Sequence, residues 1–231
     1  MSKVLIATEK PFAAPAVAGI KQILSEAGFD VVLLEKYTAK SELLAAVADV
    51  DAIIIRSDII DKEVFDAARQ LKIVVRAGAG YDNVDLEAAT AHGVCVMNTP
   101  GQNANAVAEL VFALLLFSVR NRFNGASGTE LKDKKLGLLA YGNTGRNVAR
   151  IAKGIGMDIY AYDPFTPAEV IEKEGVHAVA SQKELFSTCD VVSLHIPATP
   201  ETKGSIGREL VSLLPKKAIL VNTARKEIIN E

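Results

Sequence analysis

Several ingredients are scarce in this chain of 231 residues, and each scarcity removes a class of protein. Only two cysteines occur, Cys95 and Cys189, both at apolar strand-like runs. That pattern argues against a disulfide scaffold or a cysteine-based metal centre, and two reduced core thiols are the expectation. Long hydrophobic runs are missing too. The longest, Leu110 to Phe117, falls far short of the roughly 20 apolar residues that a membrane helix needs, so no membrane partner is expected. Met1-Ser2-Lys3 leads straight into a strand pattern, which predicts no signal peptide and a cytoplasmic protein. Neither sign of charge dominates: 26 Lys and Arg face 28 Asp and Glu, a net charge of −2 that gives no reason to expect nucleic acid. Three histidines are present and no metal site is expected from them. His92 falls at a helix C-terminus, His177 reads as solvated, and His195 lies at a strand end.

What is there reads as an ordinary globular protein, 49% hydrophobic and 23% charged, long enough for one large or two small domains. Strand and helix patterns alternate from Val4–Ala7 onward. A helix over Pro15 to Ala27 is stopped by Gly28, and Ser41 is the expected cap of a short helix through Val47. Ile53–Ile55 and Ile73–Val75 are apolar without alternation, as in strands buried on both faces. A helix over Lys62 to Leu71, another over Leu86 to His92 and a strand ending at Met97 complete a first unit. Asn103 then caps a long helix, Ala104 to about Arg120, that is apolar nearly all round and so must bury itself in its own domain or against another subunit. Residues 121–133 read as a loop. The order βαβα predicts α/β architecture: two parallel-sheet domains, residues 1–98 and 99–231, with ligands in the cleft at the carboxyl ends of the strands.

The most informative stretch is Leu136 to Asp163. An apolar strand runs into Tyr141-Gly142-Asn143-Thr144-Gly145, a helical run from Arg146, a second strand Ile159–Tyr162, and Asp163. This is the order of a dinucleotide-binding βαβ unit. Gly142 lets backbone approach a pyrophosphate, Gly145 lets helix and strand pack closely, and the unpaired amides at the helix start face the phosphates. Asp163 is placed to accept hydrogen bonds from a ribose diol. It would repel a 2′-phosphate, and Pro164-Phe165-Thr166 offers no cation to offset that, so NAD is expected over NADP. Ala140 stands where the first glycine of such turns is usual, and its methyl is tolerable if φ is negative.

Arginines at strand ends are the second informative feature. Arg56-Ser57, Arg76 and Arg225 follow strand patterns, and Arg76 adjoins Gly78-Ala79-Gly80, whose glycines can aim successive amides at one anion. Arginine's planar fork binds carboxylate or phosphate at two points, so a small anionic substrate is expected.

Four segments carry a family resemblance: Arg76 to Asp85 (RAGAGYDNVD), Asn98 to Glu109 (NTPGQNANAVAE), Asp190 to Pro197 (DVVSLHIP) and Val221 to Arg225 (VNTAR). Together they resemble the D-isomer-specific 2-hydroxyacid dehydrogenases along essentially the whole chain, and most nearly the members acting on 3-phosphoglycerate in the first step of serine synthesis. The resemblance implies a flavodoxin-like substrate lobe, a Rossmann NAD lobe, and homodimers paired through the NAD lobe. It implies Arg225 as the substrate-carboxylate arginine, and Gly142, Asn143, Thr144, Gly145 and Arg146 as the pyrophosphate loop. It puts Asp163 on the ribose, His195, Ile196, Pro197 and Thr202 on the adenosine side, and Thr223 and Ala224 near the nicotinamide. Arg56, Ser57, Arg76, Gly78, Ala79 and Gly80 fall where phosphoglycerate-oxidising members hold substrate.

Two departures accompany it. Lys226 follows Arg225 where the family usually has glycine, with strain of about 1 kcal/mol if its φ is positive. The family's catalytic carboxylate and acid/base residue come later than Arg225, so the resemblance implies an NAD lobe incomplete at its C-terminal end and a chain that is itself inactive. Alternatives from the residues are an NAD(H)-binding or sensing protein without turnover, a glycerate or lactate dehydrogenase, and, with a poorer fit, a methyltransferase on the same fold.

Overall fold

The computed structural model describes residues 1–231, which divide into two compact units, Met1–Gln102 and Asn103–Glu231. The first unit runs β1 (Lys3–Thr8), α1 (Ala14–Glu26), β2 (Asp30–Glu35), α2 (Lys40–Val47), β3 (Ala52–Ile55), α3 (Lys62–Ala67), β4 (Ile73–Arg76), α4 (Leu86–Ala91) and β5 (Cys95–Met97). Its five strands are all parallel, in the order β2-β1-β3-β4-β5. That order reverses direction at β1, and a ligand crevice is expected at the carboxyl ends beside such a reversal. Leu5, Ile53, Ile55 and Val74 on the strands meet Leu43, Val47, Val64 and Phe65 from α2 and α3 in one core. Each such side chain contributes roughly 1.5–3 kcal/mol on burial.

The second unit runs α5 (Ala104–Val119), β6 (Lys135–Leu139), α6 (Asn143–Ile155), β7 (Asp158–Tyr162), α7 (Ala168–Lys173), β8 (His177–Ala178), α8 (Gln182–Thr188), β9 (Val191–Leu194), α9 (Arg208–Val211) and β10 (Ile219–Asn222). Its strands are again parallel, ordered β10-β9-β6-β7-β8. The two parallel sheets with helices are those expected from the sequence. The alternation of β6 divides the core: Leu136 and Leu138 pack with α5 and α6, while Leu139 belongs with Phe186, Val192 and Leu194 on the other side. Gly137 faces α8, where a Cβ would lie 2.9 Å from Cys189 Sγ and 3.0 Å from Leu185 Cγ. The glycine is what lets α8 lie this close.

Some local expectations are corrected. Ser41 does not cap α2. The helix begins one residue earlier, and Glu42 reaches back so that the amides of Thr38 and Ala39 both donate to its Oε1 at 3.1 Å. Asn103 is the N-cap residue of α5, but its side chain makes no capping bond. α3 ends at Ala67 rather than at Leu71. Cys95 is exposed rather than in the core, because β5 is an edge strand; Cys189 is buried, and burial pushes its thiol up to about 12. His177 is exposed as expected, and there its Nε2 lies 3.0 Å from Asp158 Oδ1 while the ring packs on Tyr160. Helix α5 is buried on one side only. Ala108, Val111, Phe112 and Leu115 join the core of its own unit, while Leu110, Leu114, Leu116 and Phe117 are exposed.

Candidate functional site

In the second unit the carboxyl ends of β6 and β7 meet the start of α6. Gly142 is the N-cap, and a Cβ there would find open space. A Cβ at Gly145 would overlap the carbonyl oxygen of Ala140, so only glycine allows α6 to begin this close to β6. The amide of Arg146 donates to Gly142 O at 3.0 Å, closing the first helical turn. The amides of Asn143, Thr144 and Gly145 precede that bond and have no intrahelical acceptor. With the positive end of a 13-residue helix behind them, they form an anion-binding turn.

Ala140 has φ +79°, so the condition under which its methyl would be tolerated without strain is not met. Its amide donates to Tyr162 O at 2.9 Å, which extends the β6–β7 ladder and holds the residue in a conformation usually left to glycine. Asp163 lies just past β7. Its Oδ2 accepts from Tyr141 N and its Oδ1 from Phe165 N, each at 2.8 Å, so two backbone amides fix the carboxylate beside the turn.

The Arg146 guanidinium is engaged by other protein groups. It lies 4.9 Å from the Tyr141 ring centroid and pairs with Glu174, which also accepts from Tyr141 Oη at 2.8 Å. Arg146 thus braces the ring whose backbone holds Asp163; its contacts lend no support to a phosphate role. Burial raises the Tyr141 hydroxyl pKa.

Just past β9 and β10, His195 Nε2 and Thr223 Oγ1 are buried without a partner, as is Ser193 Oγ within β9. These strands pair in parallel, with Asn222 opposite Leu194, so His195 and Thr223 follow equivalent positions. A buried polar atom without a partner costs about 1–3 kcal/mol, and a bound polar ligand would relieve that cost. Burial also holds the His195 imidazole down to about 4, so the ring is neutral near pH 7. Ile196 is half-buried and Pro197 exposed, and Thr202 Oγ1 is committed to its own loop through Pro197 O and Thr199 N. Asn222 shapes the next segment: Oδ1 accepts from Ala224 N and Nδ2 donates to Arg225 O. Arg225 Nη1 donates to Ala224 O at 3.0 Å. Lys226 opens a short 3₁₀ turn (Lys226–Ile228) without positive φ, so the strain considered for it does not arise.

In the first unit, Ile55 pairs with Arg76, so Arg56-Ser57 and Arg76 lie at adjoining strand ends. Arg76 Nε donates to Arg56 O at 2.8 Å, and its guanidinium occupies the space where a Cβ of Gly78 would lie. The Gly78 amide is committed to Arg76 O, leaving Ala79 and Gly80 as the loop's donors. Asn98 Nδ2 and Thr99 N bind the carbonyls of Ala79 and Gly78. Beneath these residues is a buried carboxylate, Asp58, that reading the sequence misses. Its Oδ1 accepts from Glu9 N at 2.8 Å and Tyr37 Oη at 2.7 Å, and its Oδ2 from Arg56 N at 3.2 Å. The only local sign of it is an acid set before two isoleucines just after a strand. No group of His, Cys, Asp and Glu is arranged to hold a metal ion, and no helix is long and apolar enough to cross a membrane.

The second unit fits an NAD-type dinucleotide on these observations: open space at Gly142, free amides at the start of α6, a fixed carboxylate at Asp163 and the orphaned buried polar atoms of His195 and Thr223. Residues 117–231 match the family model described as D-isomer specific 2-hydroxyacid dehydrogenase, NAD binding domain. A D-3-phosphoglycerate dehydrogenase of Methanocaldococcus jannaschii is 40% identical over 209 residues, covering 83% of this chain and 39% of the relative. The chain thus spans well under half of that relative's length. A hydroxypyruvate reductase of Thermotoga maritima is 35% identical, with 87% of this chain and 69% of the relative covered. The NAD+-bound 3-phosphoglycerate dehydrogenase of Entamoeba histolytica superposes with a TM-score of 0.93 at 50% identity, over 99% of this chain and 73% of that one. The chain belongs to the D-isomer specific 2-hydroxyacid dehydrogenase family, and its residues 117–231 are the NAD-binding domain.

Proposed function

We propose that this chain belongs to an NAD-dependent enzyme that oxidises 3-phosphoglycerate at C2, as the names of its phosphoglycerate dehydrogenase relatives suggest. The observation that carries the substrate reading is the pair of arginines at adjoining strand ends of the first unit, with the head of Arg76 held by Arg56 O. Phosphate is a dianion, and two guanidinium groups beside the Ala79 and Gly80 amides suit it better than an uncharged 2-hydroxyacid tail.

Bound NAD supplies the acceptor for the hydride that leaves C2. The residues of the chain supply the frame. The amides of Asn143, Thr144 and Gly145 hold the pyrophosphate, Asp163 accepts from the ribose diol, and Thr223 and His195 offer polar atoms farther along the sheet. Arg225 anchors the substrate carboxylate and stabilises the negative charge that develops on the C2 oxygen as the hydroxyl proton departs. Removal of that proton by a positioned base is worth ~10²–10⁴-fold. No residue of the chain has been assigned that task, so residues 1–231 alone are proposed to bind NAD without turnover.

The exposed face of α5, with Leu110, Leu114 and Phe117, is proposed to bury itself in a homodimer, because a row of large apolar side chains on one helix is costly to leave in water. A cytoplasmic setting is proposed with the same metabolic role. The test is NADH formation by the natural protein on 3-phosphoglycerate, glycerate and lactate. Preference for the phosphorylated acid, lost in Arg76→Ala, is expected. Equal use of glycerate and phosphoglycerate would overturn the substrate assignment.

A further inference from the structure

Every strand end that frames the arginines of the first unit is tied, directly or through one residue, to Asp58. This side chain is buried, and the donors bonded to it are two backbone amides and a phenol rather than a cation. Its three donors come from three different segments: Glu9 follows β1, Tyr37 follows β2, and Arg56 follows β3. A fourth segment joins through the Asp58 carbonyl, which accepts from Asn83 Nδ2 at 2.7 Å in the loop after β4. Ile60 N donates to Asn83 O and Asp85 N to Ile60 O, which fastens that loop a second time. A buried carboxylate is costly unless donors surround it, so its presence calls for an explanation beyond packing. Tyr37 shows how firmly the group is enclosed, since burial and the Asp58 bond push its hydroxyl well above the ordinary value.

The consequence lies one residue away. Asp58 fixes the Arg56 amide, and the Arg56 carbonyl holds Arg76 Nε, so the guanidinium is seated over Gly78. We propose that Asp58 is a positioning residue that acts on substrate through Arg76: it fixes the backbone at Arg56 so that the Arg56 carbonyl orients the phosphate-binding guanidinium. The inference rests on the reading of the first unit as the substrate-binding one. Asp58 itself touches no substrate. Its role is to hold four loops in one arrangement before the anion arrives, which removes the ordering cost from the binding step.

The experiment is a double-mutant cycle in the natural protein between Asp58→Asn and Arg76→Ala, with KM measured for 3-phosphoglycerate and for NAD. Asparagine keeps the volume but replaces one acceptor oxygen with a donor. The expected result is a rise on the order of tenfold in KM for phosphoglycerate, no change in KM for NAD, and no further rise when Asp58→Asn is added to Arg76→Ala. An unchanged KM for phosphoglycerate, or an equal rise on the Arg76→Ala background, would overturn the proposal. If Asp58→Asn does not fold, Tyr37→Phe removes one donor and leaves the carboxylate. A rise of a few-fold in the same KM supports the proposal, and no rise overturns it. Should the unmutated protein oxidise a different 2-hydroxyacid, the substrate reading falls, and the same cycle run on that acid still decides the role of Asp58.

Discussion

The two units share a parallel α/β plan but treat their strand ends in opposite ways. In the first, polar groups are turned inward on one another: Asp58 gathers Glu9, Tyr37 and Arg56, and Arg56 in turn holds Arg76. In the second, donors are left without protein partners. The first-turn amides of α6 are open, and His195 Nε2 and Thr223 Oγ1 are buried alone. The difference separates two routes to affinity. A pre-tied frame lowers the cost of ordering side chains around a small anion. A row of unsatisfied groups carries a cost that only a ligand removes, so binding there feeds back strongly on stability.

The change that would break this comparison most sharply is Gly145→Ala. The added methyl would overlap Ala140 O, a backbone atom that cannot swing aside, so the start of α6 must move away from β6. The three open amides move with it. NAD affinity, measured by calorimetry on this chain, should fall on the order of 100-fold, as expected when binding groups shift by about 1 Å. The first unit should unfold as before, since none of its bonds change. Unaltered affinity would mean that the turn is not where the pyrophosphate binds.

A smaller effect is expected from pH. His195 has a folded-state pKa of about 4, lowered by burial from the ordinary 6.5. Below pH 6.5 the unfolded chain binds the proton first, so stability is lost as pH falls from 6.5 through 4, and this group contributes no pH dependence above that window. Thermal unfolding followed across this range should show the loss, and His195→Asn should flatten it. A stability profile identical in both proteins would show that His195 is not the group responsible.

How much of this was legible in the sequence depends on the distance over which each feature is specified. Ile53–Ile55 and the turn from Tyr141 to Gly145 are contiguous patterns, and both sheets and the family follow from such segments. Asp58 with Tyr37, and Tyr141 with Glu174, are pairs formed only when distant strands align; nothing local announces them. The pairing of Arg146 with Glu174 is hidden for the same reason. Cys95 misleads because an apolar triplet looks alike in a central and an edge strand, and only sheet order tells them apart.

The smallest prediction concerns the one residue of the dinucleotide turn that departs from the usual glycine. Ala140 is held at φ +79° by its bond to Tyr162 O. An L-residue in that region costs roughly 1–2 kcal/mol, whereas glycine adopts it freely. Ala140→Gly relieves that strain but gives the unfolded chain more freedom, a loss of about 0.4–1 kcal/mol. The two terms oppose each other, so a net gain between zero and about 1.6 kcal/mol is expected in chemical denaturation. NAD affinity should change little, because Ala140 N already has its partner and the open amides begin three residues later. A clear loss of stability would show that the methyl packs usefully, and that alanine belongs to the turn for a reason other than tolerance.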